Sequence, residues 1–370
     1  MAFGSSSGIR FFNYFALPSH VVRFMARVVI MGSCLLFISL LISSKSSKIP
    51  QYQKPPTPLP MRKKASRSLT ATLLQRPSPS TTTIPKQKTG YYLCPKLTGG
   101  LGNSMFVYAS VYGIARSTGR QLFMEHNNMD AVFGHLNGTV NKELCNRKRL
   151  KELKSKTHCS YDPDMLQMPD QHNYLVGEYL QSFKYFEKYQ NEIRQQFTIK
   201  QELKNKACEC LQDIAKNYTS SLNKTLSTSS VTFISVHVRR GDMLEQSHFR
   251  KYGYQIPKED YVIKAMAYMK TLYSNIAFVF ASNDMKWVKS KFHGKDIFFP
   301  KLSDAHSQFA ILSSCNHSIT SIGTYGWWSA YLAGGTTLYY KYPAREGSDL
   351  RKQFSSDYKD FFLRNWIGLS

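Results

Sequence analysis

Two adjacent arginines close an apolar segment in the stretch SVHVRRGD, residues 235–242. Successive residues of a strand point to opposite faces, so Arg239 and Arg240 leave it in opposite directions, and a buried arginine needs an anionic partner. A guanidinium offers parallel donors to phosphate oxygens and stays charged at physiological pH. The pair therefore suits a diphosphate ligand, and an arginine–carboxylate bridge is the structural alternative for one member.

A glycine-rich turn, TGGLGN, occupies residues 98–103 between a predicted strand and a predicted helix. Such a turn directs backbone N–H groups at an anion, although a tight turn alone is the alternative. The turn has neither the GxGxxG pattern of dinucleotide-binding folds nor the GK[ST] ending of a Walker loop. ATP hydrolysis and NAD binding are therefore poorly supported.

Two further short motifs match known functional patterns but lack the structural context that those functions require. The DPD stretch at residues 162–164 has the DxD spacing of metal-dependent sugar transferases, but no apolar strand leads into it, so no metal site is predicted. The RGD tripeptide at residues 240–242 matches an adhesion signal, which requires display on an exposed loop. Its position at the end of a buried strand argues against that role.

The elements that must position these residues alternate regularly from residue 230 onward. Predicted strands at 231–238, 276–282, 296–300, 318–322 and 336–342 are separated by helical patterns, which is typical of a parallel, doubly wound α/β sheet. Ligands bind such sheets at the carboxyl ends of the strands. The polar residues predicted there are Arg239, Arg240, Asp242, Ser282, Asn283, Asp284, Ser303, Asp304, Gly323, Thr324 and Tyr325.

The rest of the chain divides into four parts. Residues 91–228 predict a second α/β domain with a long insertion, joined to a C-terminal domain of residues 229–370. Residues 1–27 predict a cytoplasmic tail, the uncharged apolar stretch 28–44 a transmembrane signal anchor, and the Pro/Ser/Thr/Lys-rich stretch 45–90 a disordered stem. Over half of the net charge of +25 falls in tail and stem, which argues against nucleic-acid binding.

Cysteines and sequons favour a secretory compartment. Six cysteines lie outside the predicted anchor, and Cys145 with Cys159 is the expected disulfide, with free buried thiols as the alternative. N-glycosylation sequons at Asn137, Asn217 and Asn223 are predicted surface sites, the last two in a polar connector. A fourth sequon, Asn316, adjoins an apolar strand pattern.

Four blocks in order over residues 99–335, GGLGNSMFVYAS, HVRRGD, FASND and SITSIGTYGWWSAYLAGG, resemble the α-1,2-fucosyltransferases, glycosyltransferase family eleven. The resemblance implies a GT-B-like pair of Rossmann-type domains and transfer of fucose, with inversion, from GDP-β-L-fucose to the 2-hydroxyl of a terminal galactose. It also implies no metal cofactor and a type II Golgi membrane protein with a lumenal catalytic domain. A sulfotransferase and a non-catalytic lectin or adhesion protein are the alternatives.

The resemblance also implies roles for individual residues. One of Arg239 and Arg240 would hold the donor diphosphate, and Arg240 is selected, while His237 and Asp242 would shape the loop. The other implied site residues are Asn103 at the reaction centre, Gly100 and Gly102 in the turn, Ser282 and Asp284 at the guanosine, and Thr324 and Tyr325 at the phosphates or fucose. Ser104 replaces the family's usual glutamine, and the divergent stretch 126–175 would choose the acceptor.

The implied reaction normally uses a group that takes the acceptor proton, and a dissociative path driven by the leaving group is the alternative. Asp242, Glu178 and His237 are the candidates, and the sequence does not choose among them.

Overall fold

The structure is a computed structural model that describes residues 90–221, 227–302 and 304–370. The predicted tail, anchor and stem lie outside these residues, as does Asn223. None of the helices formed by the described residues is long and apolar enough to cross a membrane.

The first half of the described chain builds a five-stranded sheet. Its strands are β1 (Tyr92–Pro95), β2 (Gln121–Met124), β3 (Thr139–Val140), β4 (Lys151–Lys154) and β5 (Tyr174–Gly177). They lie in the order β3-β2-β1-β5-β4, and every pair is parallel. The predicted second α/β unit is therefore present, and β3 and β4 lie in the stretch where the sequence pattern was weak.

The second half builds a six-stranded sheet that is also parallel throughout. Its strands are β6 (Thr232–Val238), β7 (Ile276–Ser282), β8 (Ile297–Phe298), β9 (His317–Thr320), β10 (Thr337–Tyr340) and β11 (Ile367–Leu369). The order is β11-β10-β9-β6-β7-β8. The five predicted strands are confirmed, and the sequence missed β11, which has only three residues at the end of the chain.

Ten α-helices connect these strands within the described residues. They are α1 (Leu101–Thr118), α2 (Gln190–Gln196), α3 (Gln201–Ser221), α4 (Gly241–Glu245), α5 (Ser247–Tyr252), α6 (Glu259–Leu272), α7 (Met285–Lys291), α8 (Ala305–Ser313), α9 (Thr324–Ala333) and α10 (Asp349–Lys352). Short 3-10 helices cover Pro163–Leu166, Phe183–Tyr185, Glu187–Tyr189 and Thr228–Ser230.

Helix α1 is apolar on nearly every side because it packs between the two sheets. It contacts β1 and β2 on one side and α9 on the other. Phe106 of α1 lies with its ring centroid 4.5 Å from Trp327 and 5.1 Å from Trp328. Both tryptophans are fully buried, so the two sheets share one hydrophobic core.

Helix α3 replaces part of the connector expected from the sequence. It packs on α8 and β7 of the second sheet through buried residues on one face, including Leu211 and Ile214. Asn217 therefore lies on a helix, where it is exposed, and Asn137 is exposed in the segment before β3. Occupancy of these sequons stays a prediction, as do the domain boundaries.

The disulfide predicted between Cys145 and Cys159 is wrong. Cys145 pairs with Cys94 of β1, and their Cα atoms lie 5.6 Å apart. Cys159 is a buried free thiol in another loop, whose backbone N–H donates to the carbonyl of Gln353 at 3.0 Å. The prediction relied on proximity in sequence, but the fold brings Cys145, in the loop before β4, against β1 in the middle of the first sheet.

Candidate active site

Each sheet has a point where its strand order reverses, and both points open on one cleft. In the second sheet the chain runs from β6 outward through β7 and β8, then crosses to β9 on the other side of β6. In the first sheet the reversal lies between β1 and β5. Such switch points, at the carboxyl ends of parallel strands, are where α/β proteins bind ligands.

The cleft has a volume of about 780 Å³. Residues that follow β1 and β5 line one part of it, and residues that follow β6 and β9 line another. The lining includes Gly100, Gly102, Asn103, Arg239, Thr324 and Tyr325, all of which the sequence predicted for the site. The cleft is large enough for a sugar nucleotide.

Three helix N-termini face the same space. Lining residues belong to the first turn of α1, the first turn of α8 and the loop that opens α9. The N-terminus of a helix carries a partial positive charge and unpaired backbone N–H groups. The Asp304 carboxylate already caps α8, whereas no side chain caps α1 or α9, so the N-termini of α1 and α9 suit an anionic ligand.

Arg239 is the arginine of the pair that lines the cleft. Its backbone N–H donates to the Ser321 hydroxyl at 2.9 Å, which ties the end of β6 to the end of β9. Its guanidinium Nη2 donates to Oδ2 of Asp242 at 2.6 Å, and the side chain is one-third exposed. An arginine held by a carboxylate and still open to the cleft can bind a phosphate oxygen.

Arg240, selected from the sequence for the phosphate contact, is not among the residues that line the cleft. Its guanidinium carbon lies 4.1 Å from the ring centroid of Trp287, and its Nε lies 3.7 Å from Oδ2 of Asp284. The sequence analysis allowed a structural bridge for one arginine, and Arg240 has the contacts of that role. Its selection for phosphate stays an untested prediction.

The loop that carries both arginines is held by Asp242 and Asn283. The Asn283 side-chain oxygen accepts from the backbone N–H groups of Arg240 at 2.9 Å and Gly241 at 3.3 Å. Its amide donates to Oδ1 of Asp242 at 2.6 Å. Partial burial opposes ionisation of Asp242, but the Arg239 guanidinium and these hydrogen bonds outweigh it and lower its pKa. Asp242 is thus an ionised brace for Arg239.

His237 lies on β6, paired with Thr320 of β9, and is outside the cleft lining. Burial, together with the charge of Arg239, lowers its pKa to about 3. Its Nδ1 is buried and has no hydrogen-bond partner among the described residues. The ring is therefore neutral and packs beneath the loop, 5.2 Å from the ring of Tyr325.

Asn103 joins the two halves of the cleft. Its side-chain oxygen accepts from the Thr324 hydroxyl at 2.7 Å and from the Gln181 amide at 3.2 Å. Gly102 makes this approach possible, because a Cβ there would lie 2.6 Å from backbone atoms of Thr324 and Tyr325. The glycine turn therefore allows α1 to meet the start of α9.

The remaining residues implied by the resemblance have local structural contacts. The Ser282 hydroxyl accepts from the backbone N–H of Asp284 at 2.9 Å, and the Asp284 carboxylate caps α7 by accepting from Trp287 N–H at 3.1 Å. The Tyr325 hydroxyl donates to the carbonyl of Ala305. Roles of Ser282 and Asp284 toward guanosine stay predictions.

Residues of the DPD stretch have partners within the protein. Asp162 is buried and accepts from the backbone N–H of Lys156 at 3.0 Å, and Asp164 forms an ion pair with Lys156. Across residues 90–221, 227–302 and 304–370, no group of three or more His, Cys, Asp and Glu side chains is arranged to hold a metal ion.

The cleft also contains residues that sequence reasoning missed. They come from irregular segments after β5 and before the 3-10 helix at 163–166, from the end of α5 and the loop after it, and from the C-terminal part of the chain, and include His158, Tyr179, Gln181, Tyr252, Tyr254 and Gln353. Glu178, a candidate base, is instead paired with Lys154 at 3.0 Å and Lys96 at 3.6 Å. No strand or helix pattern marks these loops, so motif spacing could not reveal them.

Several known proteins with similar sequences are named as galactoside fucosyltransferases. Galactoside alpha-(1,2)-fucosyltransferase 2 of Hylobates lar is 28% identical over 286 residues, 74% of this chain and 77% of the relative. Human galactoside alpha-(1,2)-fucosyltransferase 1 is 29% identical over 280 residues, 74% and 73% of the two chains. Galactoside 2-alpha-L-fucosyltransferase SEC1 of Bos taurus is 27% identical, covering 74% and 72%.

Solved structures show only distant similarity. Fucosyltransferase NodZ from Bradyrhizobium is 14% identical with a TM-score of 0.40, covering 64% of this chain and 91% of its own. At this level the similarity carries no information about the site. The sequence profile of glycosyl transferase family 11, however, matches residues 65–370, and the chain therefore belongs to that family.

Proposed function

We propose that the protein is an inverting α-1,2-fucosyltransferase that moves L-fucose from GDP-β-L-fucose to the 2-hydroxyl of a terminal galactose. The observation that carries the proposal is Arg239 in a cleft that the uncapped N-termini of α1 and α9 also face, at the switch points of two parallel sheets. This arrangement suits a nucleoside diphosphate. Membership of glycosyl transferase family 11, and relatives named as galactoside fucosyltransferases, support the sugar and the acceptor.

The transfer forms one bond and breaks another. The acceptor oxygen bonds to C1 of fucose, the bond from C1 to the phosphate oxygen breaks, and GDP leaves with the electron pair. Negative charge grows on the leaving phosphate, and donors already aimed at it stabilise the transition state. We assign that role to the Arg239 guanidinium and the N-terminus of α9, where Gly323 brings the backbone close to the arginine: a Cβ on Gly323 would lie 3.3 Å from Cδ of Arg239.

The acceptor hydroxyl loses its proton, and His158 is the group we propose for accepting it. Asp242 is bound to Arg239 and Asn283, Glu178 is paired with lysines, and His237 lies outside the cleft lining. His158 lines the cleft and is half-buried, and its ring nitrogens make no hydrogen bond within the described residues. Burial lowers its pKa, against the opposing charge of Glu178, so the ring is neutral and able to accept a proton near pH 7.

Replacing His158 with Gln should lower kcat at least about tenfold and remove the decline of kcat at acid pH. An unchanged kcat and pH profile in this variant would exclude His158 as the proton acceptor.

The proposal includes a GT-B-like fold and a place in the Golgi membrane. Two parallel sheets whose switch points share one cleft support two Rossmann-type units. The apolar stretch at residues 28–44, the stem and the sequons support a type II protein with a lumenal catalytic part. The Cys94–Cys145 disulfide agrees with an oxidising compartment. Protease protection in sealed Golgi vesicles, lost on adding detergent, tests the topology, and digestion without detergent would contradict it.

The function is tested by offering the full-length protein a panel of nucleotide sugars with β-galactoside acceptors, with and without EDTA. We expect GDP-fucose alone to be used, an α-1,2 linkage in the product, and the same rate in EDTA. Transfer from another nucleotide sugar would overturn the donor assignment. Sulfate transfer from a 3′-phosphoadenosine donor, without fucose transfer, would favour the sulfotransferase alternative.

A further inference from the structure

Three tyrosines that no motif includes stand together in the cleft. Tyr179 follows β5, Tyr252 ends α5 and Tyr254 comes two residues later, and all three line the cavity. The ring centroids of Tyr252 and Tyr254 are 6.1 Å apart. Within the described part of the chain their hydroxyls have no hydrogen-bond partner, although all three side chains are partly buried. A partly buried hydroxyl with no partner in the protein is free to bind a ligand.

The tyrosines adjoin the phosphate-binding arginine. Burial raises the pKa of Tyr254, and its neighbours Cys159, Tyr252 and Tyr179 add to this effect, whereas the charge of Arg239 lowers it. Arg239 lines the same cavity as the three tyrosines, and its charge acts on Tyr254. A ligand that touches the tyrosines can therefore reach a phosphate held by Arg239.

Tyr179 is held in a costly backbone conformation. Its φ is 61° and that of Leu180 is 33°, both in the left-handed region that residues other than glycine rarely adopt. Leu180 is fixed on both sides, because its N–H donates to the carbonyl of Glu178 at 2.8 Å and its carbonyl accepts from the Ser110 hydroxyl at 2.8 Å. Such conformations persist where the surroundings impose them, often at binding sites.

A second contact orients the Tyr179 ring. The ring centroid of His158 lies 5.1 Å from that of Tyr179, and the His158 carbonyl accepts from the N–H of Gln181 at 2.6 Å. The His158 N–H in turn donates to the Gln353 side chain at 3.0 Å. The wall formed by His158 and Tyr179 is thus fixed before any ligand arrives.

Tyrosine combines an apolar ring face with a polar end. A pyranose offers the complement, since C–H groups lie on one face and hydroxyls at its rim. The group carries no charge of its own, and the anion-binding features lie at Arg239 and the helix N-termini. A neutral sugar fits this part of the cleft better than a phosphate.

We infer that Tyr179, Tyr252 and Tyr254 form the acceptor subsite, which binds the non-reducing terminal galactose of a neutral glycan next to the fucose. The inference rests on the proposed function. It places the acceptor against the segment after β5 and the region around α5, and the donor phosphates against Arg239 and α9.

The test is steady-state kinetics of the full-length protein carrying Tyr179→Phe, Tyr252→Phe or Tyr254→Phe. Each substitution keeps the ring and removes one hydroxyl, so acceptor KM should rise about threefold to tenfold, the worth of one neutral hydrogen bond. The KM for GDP-fucose and the Kd for GDP should stay within about twofold of wild type. Tyr268→Phe, on the exposed side of α6, is the matched control and should change none of these values.

Three results would overturn the inference in distinguishable ways. If the variants weaken GDP binding and leave acceptor KM unchanged, the tyrosines serve the nucleotide. If the wild type transfers fucose and none of the variants differs from it, the three hydroxyls bind neither substrate, and the inference loses its basis. If the wild type transfers fucose to no galactoside, the proposed function itself fails, whatever the variants do. Thermal unfolding of each variant, expected to match wild type, separates loss of binding from loss of folding.

Discussion

Nη2 of Arg239 lies 2.6 Å from Oδ2 of Asp242, three residues further along the chain. The carboxylate fixes the guanidinium without closing it off, because a third of the Arg239 side chain remains exposed at the cleft. Asn283 holds the other carboxylate oxygen and the backbone of Arg240 and Gly241. The loop after β6 therefore presents Arg239 to the cleft, while Arg240 contacts Trp287 and Asp284.

Because Asp242 and Asn283 hold the same loop, we expect substitutions of the two residues to have non-additive effects on kcat/KM. Asp242→Asn removes the charge that holds Arg239, and Asn283→Ala frees the loop backbone, so each should lower kcat/KM for GDP-fucose about tenfold. The double variant should lose much less than the product of the two, since both side chains hold the same loop. Glu245→Gln, an exposed change on α4, is the control. If the loss of kcat/KM in the double variant equals the product of the two single losses, the two residues do not act through one loop.

Gly102 and Gly100 predict a contrast within one turn. A Cβ at Gly102 would lie 2.6 Å from backbone atoms of Thr324 and Tyr325, whereas one at Gly100 would meet nothing within 4 Å. Gly102→Ala should therefore lower the free energy of unfolding by about 1–3 kcal/mol and raise the KM for GDP-fucose, because it pushes α1 away from α9. Gly100→Ala should leave stability unchanged. Equal denaturation midpoints for the two variants would show that the contact between the helices is not tight.

His237 predicts a loss of stability in acid. Its folded pKa of about 3 lies below the ordinary value of 6.5, so between these values the unfolded chain binds a proton that the folded protein refuses. Above pH 6.5 this histidine does not lower the free energy of unfolding. Below pH 6.5 the free energy of unfolding falls as the pH decreases, by up to about 1.4 kcal/mol per pH unit.

Urea denaturation followed by tryptophan fluorescence, between pH 7.5 and 5, measures this effect. His237→Gln should show a shallower dependence of unfolding free energy on pH than wild type, and the exposed His306→Gln should not. The same slope in wild type and His237→Gln would contradict a buried, neutral histidine.

The second sheet could be predicted from the sequence because its strands are buried and apolar. β6 and β7 consist of long runs of β-branched and aromatic residues, and the capping residues Asp284 and Asp304 mark where α7 and α8 begin. A parallel sheet then brings the ends of β6 and β9 together, which is why the pairing of Arg239 with the loop before α9 follows from topology.

The missed features have no such periodic pattern. β4 is a charged edge strand, KELK, and so lacks an apolar run. The wall formed by His158 and Tyr179 depends on left-handed backbone at Tyr179 and Leu180, a conformation that tyrosine and leucine rarely adopt. The Cys94–Cys145 disulfide and the position of Arg240 over the Trp287 ring, outside the cleft lining, depend on tertiary packing.

A comparison of two variants decides which arginine meets the diphosphate. The measurement is kcat/KM for GDP-fucose in the Arg239→Ala and Arg240→Ala variants of the full-length protein, with unfolding midpoints recorded for both. We predict a loss of about a hundredfold or more for Arg239→Ala, the cost of removing one charge-stabilising donor, and a loss within about tenfold for Arg240→Ala, with lower stability. A folded Arg239→Ala variant that keeps its activity, beside an inactive Arg240→Ala variant, would contradict the account.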